Sequence, residues 1–214
     1  MDSSGTAAPS ACPLLAAESV HLERGGKTVL SEVSFAVFAG EMTQIVGANG
    51  AGKTSLINIL CGLLRPDRGR VLWRQQPLDD SEDYRDDVAF VGHKDGVKGD
   101  LTPLENLRIA AALGASAAVS PEAAAAQWGV EKITAPCRLL SAGQRRRTAL
   151  ARLLLTRAVL WLVDEPLTAL DADGRQTLGR LLTAHLHRGG AAVMTTHQSP
   201  DWPNKPRIIS LAVL

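Results

Sequence analysis

Eight residues near position 50 combine three glycines, a lysine and a threonine in one short run. They are Gly47, Ala48, Asn49, Gly50, Ala51, Gly52, Lys53 and Thr54, and Ser55 follows them. The run matches the pattern G-x-x-x-x-G-K-[ST], in which backbone N–H groups curve around a phosphate and a following helix adds its positive end. Lys53 supplies a mobile positive charge, and Thr54 supplies a hydroxyl ligand for Mg²⁺. The sequence therefore predicts a site for nucleotide phosphates.

Two adjacent carboxylates, Asp164 and Glu165, follow the apolar run Leu160 to Val163. A buried strand that ends in two acids needs cationic partners, because burying unpaired charge is costly. A metal-bound nucleotide supplies them, so we expect Asp164 to hold Mg²⁺, directly or through water. We expect Glu165 to orient and deprotonate an attacking water. A solvated strand end is the simpler interpretation of the pair alone, and the phosphate loop earlier in the chain favours the catalytic one.

A third element runs from Leu140 to Gln144. It predicts a helix start, with Ser141 as the N-cap and Gln144 reaching back to it. The run resembles the signature motif of ATP-binding cassette (ABC) ATPases. This resemblance implies that Ser141, Gly143 and Gln144 lie at a nucleotide held by a second copy of the chain, and that Ser141 and Gly143 touch the γ-phosphate. The basic run Arg145 to Arg147 is open to two interpretations, a solvated helix face or a nucleic-acid patch.

Two further elements extend the resemblance, and two features depart from the family pattern. Thr168 to Asp171 is similar to the loop through which the two ABC protomers sense each other, and this implies that Asp171 lies near the nucleotide. His197, after Thr195 and Thr196, is similar to the switch histidine that contacts the γ-phosphate and steadies the attacking water. His93 stands where the family has a glutamine that senses Mg²⁺ and the membrane subunit. The family's adenine-stacking aromatic is absent near Arg24, so the preference for ATP over GTP stays open.

The runs Gly92 to Leu107 and Arg65 to Trp73 resemble the ABC ATPases of cytochrome c biogenesis, also called heme-exporter ATP-binding subunits. That resemblance implies an ATP- and Mg²⁺-dependent ATPase at the cytoplasmic face of a bacterial inner membrane, bound peripherally through separately encoded membrane subunits. Two copies are expected to pair head to tail around two nucleotides. His93 is not expected to ligate heme. Other small-molecule transporters, and ABC proteins acting on DNA or ribosomes, are the alternatives.

Strands and helices alternate along the chain as the site requires. Apolar and polar residues alternate before the phosphate loop, which predicts strands between residues 14 and 46. A helix is predicted over 55–64, with Leu56, Ile59, Leu60 and Leu63 on one side. Another is predicted from Asp171 to Arg188, and buried strands are expected at 158–163, 191–195 and 207–214. The fold class expected is α/β: a RecA-like phosphate-loop core of the ABC type, with an N-terminal antiparallel β subdomain and an inserted α-helical subdomain.

Length and composition limit which domain organisations and classes of protein are compatible with these predictions. The 214 residues suit a flexible tail at 1–12 and one nucleotide-binding domain at 13–214, with the helical insertion at about 95–157. The formal charge of +1 argues against a dedicated nucleic-acid binder. Cys12, Cys61 and Cys137 form neither a disulfide framework nor a zinc pattern, and they suit a reducing compartment. The N-terminal residues lack the features of a secretory signal, and no apolar run has the length of a membrane helix.

Overall fold

The secondary structure comes from a computed structural model that describes residues 12–114, 119–196, 202 and 204–213. The strands are β1 (Leu15–Arg24), β2 (Lys27–Val37), β3 (Met42–Val46), β4 (Arg68–Trp73), β5 (Gln76–Pro77), β6 (Val88–Val91), β7 (Leu160–Asp164), β8 (Ala191–Thr195) and β9 (Arg207–Ser210). The helices are α1 (Lys53–Leu60), α2 (Tyr84–Asp87), α3 (Pro103–Leu113), α4 (Pro121–Gln127), α5 (Ala142–Ala151) and α6 (Ala172–His187). Short 3-10 turns lie at Leu78–Asp80, Cys137–Leu139 and Arg152–Leu155.

In the described part of the chain, five parallel strands form the central sheet, in the order β6-β7-β8-β3-β9. Along β7, Leu160 and Leu162 pack into one buried apolar cluster, whereas Trp161 and Val163 pack into another. Both faces of this strand are therefore covered, which explains its continuous apolar sequence. Because the strands are parallel, β3, β7 and β8 bring their carboxyl ends to the same edge of the sheet.

A second sheet is antiparallel and has the order β2-β1-β4-β5. Its Leu15 and Val37 share a buried cluster with Leu56 of α1 and Leu160 of β7, so this sheet and α1 belong to one core. Helices α3 to α5 lie between β6 and β7 in the chain and share the other cluster with α6. The predicted architecture is confirmed: a phosphate-loop core, an N-terminal antiparallel sheet and an inserted helical part.

Helix α6 begins after Asp171, whose side chain accepts a hydrogen bond from the N–H of Gly174. On its buried face, the ring of His185 stacks on Trp161 with centroids 4.0 Å apart and planes 8° from parallel. Nε2 of His185 lies 3.1 Å from the carbonyl oxygen of Val159 and 3.2 Å from that of Ala191. Since both neighbours only accept, Nε2 carries the proton. Across the described ranges, no helix combines the length and apolar character of a bilayer-crossing segment.

The helix predicted over 55–64 is wrong at both ends, because α1 spans Lys53–Leu60. After Cys61, the N–H of Gly62 donates to the carbonyl of Ile59, and the N–H of Leu63 donates to that of Asn58. This pair of bonds is a Schellman motif, which ends a helix. Leu63, predicted on the apolar side, is consequently 67% exposed. The last strand likewise ends at Ser210, and Leu214 lies outside the described residues.

Candidate active site

The glycine-rich run forms a loop between β3 and α1, as predicted. Gly52 precedes the helix with φ of 88°, and a Cβ there would lie 2.9 Å from the carbonyl oxygen of Val29. Only glycine satisfies both conditions. The ammonium group of Lys53 donates to the carbonyl oxygens of Gly47 at 2.8 Å and Ala48 at 3.0 Å. The lysine side chain therefore turns back over the loop in which phosphate is predicted to bind.

Asp164 ends β7 and is 1% exposed. Its Oδ2 accepts a hydrogen bond of 2.9 Å from the hydroxyl of Thr54, and its Oδ1 accepts one of 2.5 Å from the hydroxyl of Thr195. The two residues predicted to hold Mg²⁺, Thr54 and Asp164, are thus in direct contact. Three elements fix the carboxylate, namely β7 through its backbone, α1 through Thr54 and β8 through Thr195.

Glu165 follows Asp164 and turns away from the strand with φ of 48°. Few residues other than glycine adopt this left-handed conformation, so its backbone needs external support. Its N–H donates to the Thr195 hydroxyl at 2.9 Å, and its carbonyl accepts from Arg146 at 2.9 Å. The half-buried side chain lines an open cleft beside the phosphate loop.

This cleft brings together several of the predicted site residues. Its lining consists of Val29, Asn49, Gly50, Gly52, Lys53, Thr54, Ser55, His93 and Glu165. His93 therefore does face the phosphate loop, in the place where the resemblance put the family's glutamine. Arg24 is exposed and donates to the carbonyl of Glu23 at 3.3 Å, and the apolar contribution to the lining comes from Val29 instead.

The signature residues lie elsewhere on the chain. Ser141 caps α5 as predicted, since its hydroxyl accepts from the N–H of Gln144 at 3.2 Å. The predicted return bond from Gln144 is wrong: its side-chain amide donates to the carbonyl of Gly129 and accepts from the N–H of Glu131. That glutamine instead ties α5 to the end of α4. Neither Ser141 nor Gly143 belongs to the lining of the described cleft.

Gly143 packs closely on the loop that follows the two carboxylates. A Cβ at this position would lie 2.9 Å from the carbonyl oxygen of Ala169. Farther along that loop, the carboxylate of Asp171 accepts from Gly174 and, at 2.6 Å, from the guanidinium of Arg147. These bonds, led by that from the Gly174 N–H, hold the pKa of Asp171 below its ordinary value. The signature and the 168–171 loop therefore form one surface.

The basic run after the signature is not a solvated helix face. Arg146 is 3% and Arg147 6% exposed, so neither offers its charge to a nucleic-acid backbone. Arginine is rarely buried unless paired, so both interpretations of the run had assumed exposed side chains. Arg145 is partly buried and donates to the carbonyl of Leu140 at 2.6 Å. All three arginines thus hold the fold around the signature rather than an external partner.

Arg146 binds both the end of β7, with its two carboxylate residues, and the loop around His93. One nitrogen donates to the carbonyls of Asp164 at 2.7 Å and Glu165 at 2.9 Å. The other donates to the carbonyl of Gly92 at 2.9 Å and to the carboxylate of Asp95 at 3.2 Å. Burial lowers the pKa of Arg146, and the neighbouring Asp95 opposes that effect. Sequence motifs indicate a supporting role for neither this residue nor Thr195, because nothing in the local sequence marks a contact between distant elements.

His197, predicted as the switch histidine, lies among the residues that are not described, so its role stays a prediction. No cluster of three or more His, Cys, Asp or Glu side chains within the described ranges could hold a metal ion by itself. A magnesium ion at Thr54 and Asp164 would therefore need phosphate and water oxygens to complete its coordination.

Comparison with known proteins agrees with this geometry. A family model described as "ABC transporter" matches residues 30–168. The cytochrome c biogenesis ATP-binding export protein CcmA of Escherichia coli K12 is 46% identical over 187 residues, which cover 86% of this chain and 89% of the relative. The protein of the same name from Cupriavidus necator is 45% identical over 189 residues, covering 86% and 83%.

Solved structures show the same fold. The dimeric ATP-binding cassette MJ0796, in a post-hydrolysis state with ADP and phosphate, superposes with a TM-score of 0.82 at 26% identity. The match covers 92% of this chain and 94% of the cassette. An ATP-binding subunit of an ABC transporter gives a TM-score of 0.75 at 28% identity, covering 86% and 79%.

Proposed function

The chain belongs to the ABC transporter ATP-binding family, and we propose that it is the ATP-hydrolysing subunit of a transporter in c-type cytochrome biogenesis. It would drive heme export or the release of a heme-loaded carrier. The observation that carries the ATPase part is the convergence of the phosphate loop, Asp164 and Glu165 on one sheet edge. The similarity to cytochrome c biogenesis export proteins over most of both chains supports the pathway.

We propose that nucleotide binding exchanges partners around Lys53. The ammonium group leaves the carbonyls of Gly47 and Ala48 for the negatively charged β- and γ-phosphate oxygens. The phosphate oxygens carry full negative charges and the carbonyl oxygens only partial ones, so the ammonium group is attracted more strongly to the nucleotide. The backbone N–H groups of the loop and the start of α1 complete the cradle. ATP is the proposed nucleotide.

The donor set at Thr54 and Asp164 fits Mg²⁺, which prefers oxygen ligands and is commonly held by one or two protein groups plus phosphates. The ion, when bound, would neutralise charge that develops on the phosphates. We propose that Glu165, which lines the same cleft, orients the attacking water and accepts its proton. We propose that His197 and His93 assist at the γ-phosphate and at the metal-sensing position.

We further propose that two copies pair head to tail. The cleft of one chain lacks Ser141 and Gly143 among its described lining residues, and a similar solved cassette is dimeric. In such a pair, the signature of each copy would close the nucleotide site of the other, with Asp171 at the contact between them. Closing the pair is the step that does work on the transporter, and hydrolysis reopens it.

The proposed location is the cytoplasmic face of a bacterial inner membrane, where separate membrane subunits would hold the chain. Relatives named as export proteins support this placement. We propose that the loop around His93 meets those subunits, because it reaches from the nucleotide cleft to the described helical part. No nucleic-acid partner is proposed, since Arg146 and Arg147 are buried and Arg145 is partly buried.

The ATPase proposal is tested with Glu165→Gln. We expect turnover to fall on the order of 10²–10⁴-fold, the usual worth of a general base, while ATP binding persists. ATP should then trap a dimer that sedimentation detects. The matched control is Glu82→Gln, which removes an exposed carboxylate that does not line the cleft. Undiminished turnover of Glu165→Gln, or a monomer that persists with MgATP, would contradict the proposal.

The pathway is tested in cells from which the gene has been deleted. Heme staining should show loss of mature c-type cytochromes, restored by the intact gene but not by the Glu165→Gln variant. A pull-down from detergent-solubilised membranes should recover integral membrane subunits together with this chain. Normal cytochrome maturation in the deletion strain would favour the alternative, an ATPase of another small-molecule transporter.

A further inference from the structure

Thr195 lies at the centre of the candidate site without lining its cleft. It ends β8, which runs between β3 and β7, and its backbone pairs with Ile45 on one side and Asp164 on the other. The residue is completely buried. Its hydroxyl is the only part of the side chain that can form hydrogen bonds, so the contacts of this one group define what the residue does.

That hydroxyl joins the two proposed functional acids. It accepts from the Glu165 N–H at 2.9 Å and donates to Asp164 Oδ1 at 2.5 Å. The directions are fixed, because an amide N–H only donates and an ionised carboxylate only accepts. The hydroxyl of Thr54 binds the other oxygen of Asp164, so the carboxylate cannot rotate without breaking a bond.

The bond to Glu165 supports an unusual backbone conformation. A residue other than glycine is disfavoured in the left-handed conformation and persists there only where its surroundings hold it. The Thr195 hydroxyl holds the N–H of Glu165, and Arg146 holds its carbonyl. Without the hydroxyl, the backbone of Glu165 is freer to relax, and relaxation redirects its side chain relative to the phosphate loop.

We propose that Thr195 is a positioning residue for ATP hydrolysis, in which a single hydroxyl sets both the carboxylate of Asp164 and the backbone of Glu165. The proposal rests on the proposed ATPase function and on the role of Glu165 in it. Thr195 acts through these two acids and touches neither nucleotide nor water. Removing its hydroxyl should therefore slow turnover and leave nucleotide binding at the loop unchanged.

The chain offers a matched control in Thr43. This threonine lies on the neighbouring strand β3 and is also completely buried, and its hydroxyl has no hydrogen-bond partner in the described part of the chain. Thr43→Val and Thr195→Val therefore make the same chemical change at the same depth in the same sheet. Only the second removes bonds to Asp164 and Glu165. Thr195→Ser completes the set, because it keeps the hydroxyl.

The experiment measures kcat and KM for ATP with the full-length chain, thermal unfolding, and the Kd of a fluorescent N-methylanthraniloyl derivative of ADP in EDTA. We expect Thr195→Val to lower kcat on the order of 10- to 100-fold, the scale of a misplaced catalytic group. Its Kd in EDTA should stay within about threefold, as expected if the phosphate loop is intact. Thr195→Ser should regain most of the rate, and Thr43→Val should behave as the parent.

The outcomes separate this inference from the proposed function. If Glu165→Gln leaves the rate unchanged, the proposed role of Glu165 fails, and this inference fails with it. If Glu165→Gln is slow but Thr195→Val keeps its rate, only the role of Thr195 is refuted. In a Glu165→Gln background, Thr195→Val should lower the rate by a smaller factor than in the parent, because only its effect through Asp164 remains, and an equal factor in both backgrounds would refute the part of the proposal that concerns Glu165. Should Thr195→Val not fold, Thr195→Ala replaces it, and failure of both to fold would overturn the proposal in favour of a structural role.

Discussion

His185 should make the fold sensitive to mild acid. The side chain is 5% exposed, and burial lowers its pKa from 6.5 to about 4. Trp161 covers one face of the ring, and Gly190 packs so closely against it that a Cβ on this glycine would lie 2.4 Å away. Arg188 adds positive charge nearby and further opposes protonation. The folded state therefore keeps His185 neutral at pH values where the unfolded chain binds a proton.

The size of the effect follows from the two pKa values. Their separation corresponds to about 3 kcal/mol, at roughly 1.4 kcal/mol per pKa unit. This stability is fully present above pH 6.5 and is lost as the pH falls toward 4, because only the unfolded state gains the proton in that range. At pH 5 the unfolded histidine is mostly protonated and the folded one is not, so about 2 kcal/mol should already be lost.

Urea unfolding at pH 7.5 and pH 5.0 measures this loss. The perturbation is His185→Gln, whose side-chain amide can donate to the same carbonyls of Val159 and Ala191 but does not titrate. Carboxylates add their own pH dependence to every variant, so the decisive quantity is the difference between parent and variant. The parent should lose about 2 kcal/mol more than His185→Gln. His187→Gln, on the exposed face of α6, should match the parent.

Equal losses in the parent and His185→Gln would refute the reasoning. That result would mean either that His185 accepts a proton without leaving its place or that acid opens this part of the fold first. Direct titration by NMR distinguishes the two, since the first case gives a folded-state pKa near the ordinary value of histidine.

Two further predictions concern contacts of α5. Arg146→Lys should lower turnover about tenfold and reduce thermal stability, because an ammonium group cannot bind the four acceptors that a guanidinium reaches. The control is Arg188→Lys, at an exposed position. A parental ATPase rate in Arg146→Lys would contradict the prediction. Gly143→Ala should weaken ATP-dependent dimer formation, because the new Cβ would lie 2.9 Å from the carbonyl oxygen of Ala169 and displace the 168–171 loop. Sedimentation in the Glu165→Gln background measures the dimer. Gly114→Ala, where the nearest atoms are 3.5 Å away, should have no such effect, and an unchanged dimer for Gly143→Ala would show that the displaced loop does not form the contact.

Local sequence predicted most of the fold and the phosphate loop, because the features involved are local. The glycine pattern encodes its own backbone geometry, and the continuous apolar run of β7 encodes a strand covered on both faces. The capping role of Ser141 was equally visible. The end of α1 was missed because apolar periodicity continued to Leu63 while the backbone had already turned at Gly62.

The supports of the site could not be predicted in the same way. Thr195 and Arg146 act across strands and helices that are distant in sequence, and their residue types fit a strand end or a solvated helix equally well. Gln144 occupies the position expected for a reciprocal cap, yet its side chain forms hydrogen bonds with the backbone of Gly129 and Glu131 instead. Such contacts depend on which elements meet, and a single sequence does not state that.

The guanidinium of Arg146 links the loop around His93 directly to the end of the strand that carries the two carboxylates. A displacement of Gly92 or Asp95 is passed by this rigid, planar group to the carbonyl of Glu165, and nucleotide takes no part in these contacts. If the proposed membrane subunit docks on that loop, its contacts would act on the backbone of Glu165 whether or not nucleotide is bound. The ATPase rate of the chain alone and its rate with such a subunit bound are then expected to differ.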